Sequence, residues 1–272
     1  MSGGKKVVIK IGGSLLKQGI PEQFLDDLKA TWQSNRVALV HGGGDVVTEF
    51  ATRLGKEQRF VVSPEGIRSR QTDKETVEIY TMVMSGLLAK RLVLALQTRG
   101  VSAVSITGLD GRMFRGKRKK KLVIIDERGR KMLVDGGYTG RIDSVDSGLA
   151  DLLMSNGYMP VVSPVASSEE SEPLNVDGDR AASSLASAIH ADSVVFLTNV
   201  GGLMLRDNLV PKLSVDTASS RMSEIGFGMQ RKVMAAVDAV REGVGEAIIC
   251  SGLGPSPVSA GLSHTNCTVI TP

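Results

Sequence analysis

Three features are scarce in this chain of 272 residues, and each scarcity excludes a class of function. There are two cysteines, Cys250 and Cys267, too few for a disulfide framework and not spaced as metal ligands. They are expected to be ordinary buried thiols. The three histidines, His41, His190 and His264, lie far apart, so a histidine-based metal centre has no support. No apolar run approaches the ~18–20 residues that a membrane helix needs. The first residues, MSGGKKVVIKIGGS, pass straight into a strand pattern, without the apolar region and cleavage site of a secretory signal. The expectation is a cytoplasmic protein with no membrane partner.

What is present is enough for a core. Hydrophobic residues make up 42% of the chain, sufficient for one large α/β domain or two small ones. The net charge of +4 is unevenly spread. Between Arg112 and Lys131 stand ten Lys/Arg against Asp126 and Glu127, a local net of +8, and the remainder carries 23 basic and 27 acidic residues, a net of −4. The densest part is FRGKRKKK, 114–121. One local basic run on a mildly acidic protein argues against nucleic acid as a partner, because such binders spread charge over a face and interleave aromatics.

Short apolar runs alternate with helical patterns. KVVIKI (6–11), RVALVH (36–41), VSAVSI (101–106), MPVVSPVA (159–166), SVVFLTN (193–199), EAIICS (246–251) and CTVIT (267–271) read as strands. PEQFLDDLKATWQSN (21–35) has Phe24, Leu25, Leu28 and Trp32 at helical spacing, with Pro21 suited to a first turn. Helices are also expected near 178–190 and 228–243. The span 72–100 reads as one long helix with a Thr72/Glu75 capping box and a stop at Gly100. Its middle is apolar on nearly every side, as in a homodimer interface. Residues 121–135 are two β-rich runs around Glu127-Arg128-Gly129-Arg130, a hairpin signal. Strands alternating with helices predict an α/β fold, a mainly parallel central sheet covered on both faces, with this β-hairpin added. A soft division falls near residue 175.

Four motifs carry chemistry. KIGGS (10–14) and HGGGD (41–45) place glycines directly after two strands, where backbone N–H groups can approach a phosphate. In open α/β sheets, such strand ends face one crevice. Neither loop matches a Walker or dinucleotide pattern. NVDGDRAASSLASAI (175–189) sets Asp177 and Asp179 at a helix start, either as caps or to orient lysines or a metal ion. GMQRKVMAAVDAV (228–240) opens a helix with Arg231 and Lys232, cations that the helix dipole disfavours there. A bound phosphate would compensate them.

Order and spacing together resemble the amino acid kinase family, over essentially the whole chain. KIGGS, HGGG, GIRSRQTDKETVEIYTMVMSGLLAKRL, NVDGDRAASSLA, LTNVGGLM and GMQRKVMAAVDA carry the resemblance. It is nearest the acetylglutamate kinase branch. ITGLDGRMFRGKRKKK with YTGRI is similar to a sub-branch that phosphorylates α-aminoadipate or glutamate held on an acidic amino-group carrier protein. The resemblance implies a three-layer αβα sandwich and ATP-dependent phosphorylation of a side-chain carboxylate, with Mg2+ held mostly by nucleotide phosphates and no metal site built by the protein. It implies that Lys10 and Lys232 stabilise the transferring phosphoryl group and that Asp179 holds both. Gly12 and Gly13 would meet the nucleotide phosphates, with Asn199, where relatives commonly have Asp, beside the nucleoside. Gly43, Gly44, Arg68 and Asn175 would bind the acceptor. Residues 1–174 would form an acceptor-binding lobe and 175–272 an ATP-binding lobe of one domain. The basic run would meet the carrier, with Arg112 and Arg115 nearest the substrate and Lys117, Arg118, Lys119, Lys120 and Lys121 further out. The competing expectations are a kinase of free N-acetylglutamate and a non-catalytic module that senses an amino acid.

Overall fold

The computed structural model describes residues 4–272 apart from Glu65, Ile67 and Asp207; Met1–Gly3, the start of the stretch read for a signal, lie outside it. Eight strands form the central sheet: β1 (Lys6–Ile11), β2 (Arg36–His41), β3 (Ala103–Thr107), β4 (Met159–Ser163), β5 (Ser193–Thr198), β6 (Lys212–Ser214), β7 (Glu246–Ser251) and β8 (Cys267–Thr271). Their spatial order is β6-β8-β7-β5-β1-β2-β4-β3. Every neighbouring pair is parallel except β7 with β8. The central strands are continuous apolar runs because helices cover both faces.

Alternate residues serve the two faces. Val8, Ala38, Val40, Val194 and Phe196 pack into the core beneath the helices Gly178–Ala188 and Phe227–Arg241. Val7, Ile9, Ile11, Leu39 and Leu197 pack into the opposite core with Phe24, Leu25, Leu28 and Leu96. By this period-two alternation Lys10 shares the face of Val8, so it points toward the helix that begins at Gly178.

The long helix ends as the glycine signal required, at Gln97, and Gly100 has φ +78°. Its start differs from the expected capping box: Asp73 is the N-cap, accepting from Thr76 N–H at 2.8 Å, while Thr72 bonds elsewhere. Pro21 stands at the N-cap position of the helix Glu22–Ser34, with no side-chain capping bond, one residue ahead of the first turn expected for it. Residues Met82–Leu88 form a π-helical segment inside the long helix. By length and composition Lys74–Gln97 could cross a membrane, but half of its apolar stretch is buried inside the protein. Met82 and Leu94 are exposed on it.

Beside the main sheet lies a four-stranded sheet ordered Pro173–Asn175, Val165–Ser167, Phe114–Arg118, Gly140–Val145. The run expected as one strand over 159–166 is therefore two, in different sheets, broken at Pro164. The expected hairpin is present, Lys121–Ile125 antiparallel to Lys131–Asp135, with Gly129 in its turn at φ +75°. Cys250 and Cys267 sit opposite each other in β7 and β8 as buried free thiols, and burial pushes Cys250 up to about 12.

Candidate active site

The site lies at the carboxyl ends of β1, β2 and β5, where the two glycine loops abut. A Cβ on Gly13 would lie 2.7 Å from the Gly43 nitrogen, and one on Gly42 would lie 2.8 Å from the Gly13 nitrogen. Backbone therefore packs on backbone with no room for side chains, and the loops form one surface. Gly43 is also closed from behind, since a Cβ there would strike Leu88 Cδ1 at 2.1 Å and Met84 Sδ at 2.9 Å. Both partners belong to the π-helical segment, whose irregular turn brings them against the loop. His41 ties these parts together: its Nε2 lies 2.9 Å from Ser163 Oγ, which donates to Met84 O at 3.2 Å. Burial, more than any neighbouring charge, lowers His41 to about 4, so the ring is neutral.

Lys10, at the end of β1, is buried with its Nζ 2.6 Å from Asp179 Oδ1. Lys232 donates to the other oxygen, Oδ2, at 2.8 Å. Burial alone would raise the Asp179 pKa, but two ammonium groups overcome that and hold it well below the usual carboxylate range. The bridge thus carries one negative and two positive charges, a net +1 at the head of the sheet. Asp177 takes the cap role and orients no lysine among the described residues. It caps the helix, accepting from the Asp179 and Arg180 N–H groups at 3.0 Å each, and pairs with Arg231. The two cations at the start of the helix Phe227–Arg241 are therefore compensated by Asp177 and Asp179, where a bound phosphate was expected.

A crevice of about 260 Å³ opens on this bridge. Lys10, Asp179, Gly43, Gly44, Arg68 and Asn175 all line it, while Lys232 is joined to it only through Asp179. Gly12 and Gly13 are outside its lining but abut Gly42 and Gly43, which are in it, and Gly12 N–H donates to Leu197 O at 3.3 Å, two residues before the exposed Asn199. Asn175 donates from Nδ2 to Thr72 Oγ1 at 3.0 Å. Arg68 stacks on the Phe60 ring, 3.9 Å from its centroid. Sequence reading missed Arg70, which lines the same crevice and donates to Gly44 O at 2.7 Å and Thr48 Oγ1 at 3.0 Å, fixing the glycine loop. The alternation that could have shown it spans only Arg68–Arg70, a strand too short to read.

The basic run is ordered differently from the expectation. Arg112, Arg115 and Lys117 line a separate groove with Asp143 and Glu169, and Lys117 pairs with Asp143 at 2.9 Å. Arg118 pairs with Glu172 at 3.3 Å and stacks on Tyr138 at 4.2 Å. Lys120 and Lys121 are exposed. It is Lys119 that enters the wall of the catalytic crevice, while Arg112 and Arg115 do not.

No cluster of three or more Asp, Glu, His or Cys among the described residues could hold a metal ion. Both Asp179 oxygens face ammonium groups, so this donor set does not fit a resident metal.

Glycine-loop amides and a Lys–Asp–Lys bridge at the ends of parallel strands define an α/β phosphotransferase site. Residues 5–251 match the amino acid kinase family, and the chain belongs to it. The LysW-aminoadipate/LysW-glutamate kinase of Metallosphaera sedula is 45% identical over 258 residues, 94% of this chain and 97% of the relative. A Cenarchaeum symbiosum protein, provisionally given the same name, is 51% identical over 264 residues, 97% of this chain and 98% of its own. In fold, the chain is similar to the N-acetylglutamate synthase of Neisseria gonorrhoeae (TM-score 0.80, 23% identity, 99% of this chain and 60% of that one). It is also similar to the carbamate kinase of Giardia lamblia (TM-score 0.71, 17% identity, 100% and 99%).

Proposed function

We propose that this protein is an ATP-dependent kinase of a carboxyl group, acting on α-aminoadipate or glutamate whose amino group is linked to the carrier protein LysW. The observation that carries the reading is the Lys10–Asp179–Lys232 bridge at the head of the crevice, on a chain 45% identical to a kinase of that name.

The chemistry asks little of the protein beyond charge and position. The acceptor carboxylate is already ionised near neutral pH, so no general base is needed. One of its oxygens bonds to the γ-phosphorus while the bond to the bridging oxygen breaks, leaving ADP and an acyl phosphate. Charge spreads over the equatorial oxygens of the transferring group, and the cations must already be there. Lys10 and Lys232 supply them, and Asp179 keeps both from wandering. Gly12 and Gly13 receive the nucleotide phosphates, with Asn199 beside the nucleoside. Gly43, Gly44, Arg68 and Asn175 hold the acceptor. Residues 1–174 then serve as acceptor lobe and 175–272 as ATP lobe, with Asp179 reaching across to Lys10. The magnesium ion brought by ATP would add positive charge on the phosphates.

The basic groove of Arg112, Arg115 and Lys117, with Lys120 and Lys121 beyond it, receives the acidic carrier. Such charge raises the encounter rate more than the final affinity. The enzyme works in the cytoplasm as a homodimer through the helix Lys74–Gln97, where Met82 and Leu94 would be covered. The test is acyl-phosphate formation trapped with hydroxylamine, using ATP with carrier-linked glutamate, carrier-linked aminoadipate or free N-acetylglutamate. Turnover with carrier-linked acceptors is expected. Turnover with free N-acetylglutamate alone would reject the carrier.

A further inference from the structure

The cations of the catalytic crevice are mostly committed. Lys10 and Lys232 share Asp179, Arg231 pairs with Asp177, and Arg70 is fixed on Gly44 O. Arg68 lies on Phe60 among the groups assigned to the amino acid. Lys119 differs: it belongs to none of the ion pairs among the described residues. Its main chain is held firmly, with its N–H donating to Thr139 O at 2.8 Å. Gly136 packs so closely that a Cβ there would lie 1.7 Å from Lys119 O. Much of the residue is exposed, yet the surroundings of its ammonium are dry enough that burial lowers its pKa. Asp177 raises it, while Arg231, Arg141 and Arg180 lower it further. An ammonium in that setting, with Asp177 nearby but given over to Arg231 and no carboxylate in an ion pair with it among the described residues, is suited to an anion that arrives with a ligand.

Its position indicates which anion. Lys119, Gly140, Val176 and Asp177 line both the catalytic crevice and a second, outer crevice of about 490 Å³ that continues past Arg141, Arg180 and Glu242. They form the sill between the two. An acceptor tethered through its amino group must leave the catalytic crevice by some opening, and this sill is one. The acids beyond it are largely taken, since Asp143 faces Lys117 and Arg141, and Asp177 faces Arg231. Arg141 and Arg180 of the outer crevice also have acidic partners, Asp143 and Asp238, so Lys119 is its cation outside any ion pair among the described residues; Glu242, unpaired likewise, is an acid.

We propose that Lys119 is a specificity-determining residue that pairs with a carboxylate of the carrier next to the amide link, so that the enzyme distinguishes a carrier-linked acceptor from a free acylated amino acid. This rests on the carrier reading above, and the wild-type control separates the two. If wild type phosphorylates only free N-acetylglutamate, the carrier reading fails and this proposal falls with it.

Otherwise the experiment compares wild type, Lys119→Met and Lys119→Arg. The probes are carrier-linked aminoadipate and free N-acetyl-aminoadipate, the latter as a substrate or, without turnover, as a competitive inhibitor. In Lys119→Met, KM for the carrier-linked acceptor should rise roughly 10-fold, the loss expected for one charge-assisted contact. Its kcat, the KM for ATP and the KM or Ki of the free analogue should stay unchanged, and Lys119→Arg should recover most of the loss. An equal rise for free and linked acceptors would mean that Lys119 reads the amino acid itself and would overturn the proposal. A fall in kcat at constant KM, or no change at all, would overturn it too.

Discussion

The catalytic floor and the basic flap are both rich in lysine and arginine, and they hold that charge in opposite ways. On the floor, Lys10 and Asp179 are 6% exposed each, and the charges are matched atom to atom. On the flap, Arg112, Arg115, Lys120 and Lys121 are exposed, and Lys117 has one half-exposed partner, Asp143. Burial makes each floor charge costly to strand and valuable when a phosphoryl group arrives. Exposure makes each flap charge nearly free to keep and individually weak. Under the proposed function the same residue type serves chemistry in one place and encounter in the other, and substitutions should separate the two regions sharply.

The largest effects belong on the floor. Lys232→Met should lower kcat by roughly 10²–10³ with little change in the KM for the acceptor, by analogy with loss of one oxyanion-hole donor. Asp179→Ala should be worse, because it also leaves Lys10 and Lys232 facing each other. Breaking a buried pair in this way costs about 3–5 kcal/mol of stability. Steady-state kinetics with urea unfolding checks both effects. A stable, active Asp179→Ala variant would show that the bridge is dispensable.

A smaller effect tests the wall behind the floor. His41 sits at about 4, below its ordinary 6.5, because burial keeps it neutral. Between those values the unfolded chain takes up a proton that the native protein refuses. Stability is therefore full above pH 6.5 and declines as pH falls toward 4, by about 3 kcal/mol at 1.36 kcal/mol per unit. His41→Gln should be less stable near neutrality but flatter across this window. Melting temperature against pH reads it, and parallel slopes for wild type and variant would exclude His41 as the cause.

The floor was legible in the sequence and the flap only partly. The family resemblance, not the local pattern, brought Lys10, Asp179 and Lys232 together; local rules placed each of them beside a glycine loop or a helix start. The cap role of Asp177 could be read in the same way. What escaped was set by distant packing. The compensation of Arg231 comes from Asp177 on another helix, some fifty residues earlier in the chain, which no local rule reports. The π-helical turn at Met82–Leu88 looks like ordinary helix in its apolar pattern. In FRGKRKKK the composition is uniform, so nothing local marks Lys119 as the lysine that lines the crevice. That follows from Thr139 and Gly136 gripping its main chain.

The smallest effect sharpens the comparison most, because it divides the flap itself. Arg115→Ser, Lys120→Ser and Lys121→Ser together should leave stability within about ±0.5 kcal/mol, as for exposed residues without close partners. At low salt the KM for the carrier-linked acceptor should rise several-fold, on the order of 3–10, through lost steering. The KM for ATP should not move. Raising salt from about 0.15 M toward 1 M shortens the Debye length from roughly 8 Å to 3 Å, so wild type should lose its advantage and converge on the triple variant. A contact at the sill is screened less, so the deficit of Lys119→Met should outlast that convergence. KM measured against salt for the three proteins decides it. If the Lys119→Met curve meets the wild-type curve along with the triple variant, Lys119 is one more steering charge and the line between floor and flap lies deeper in the crevice.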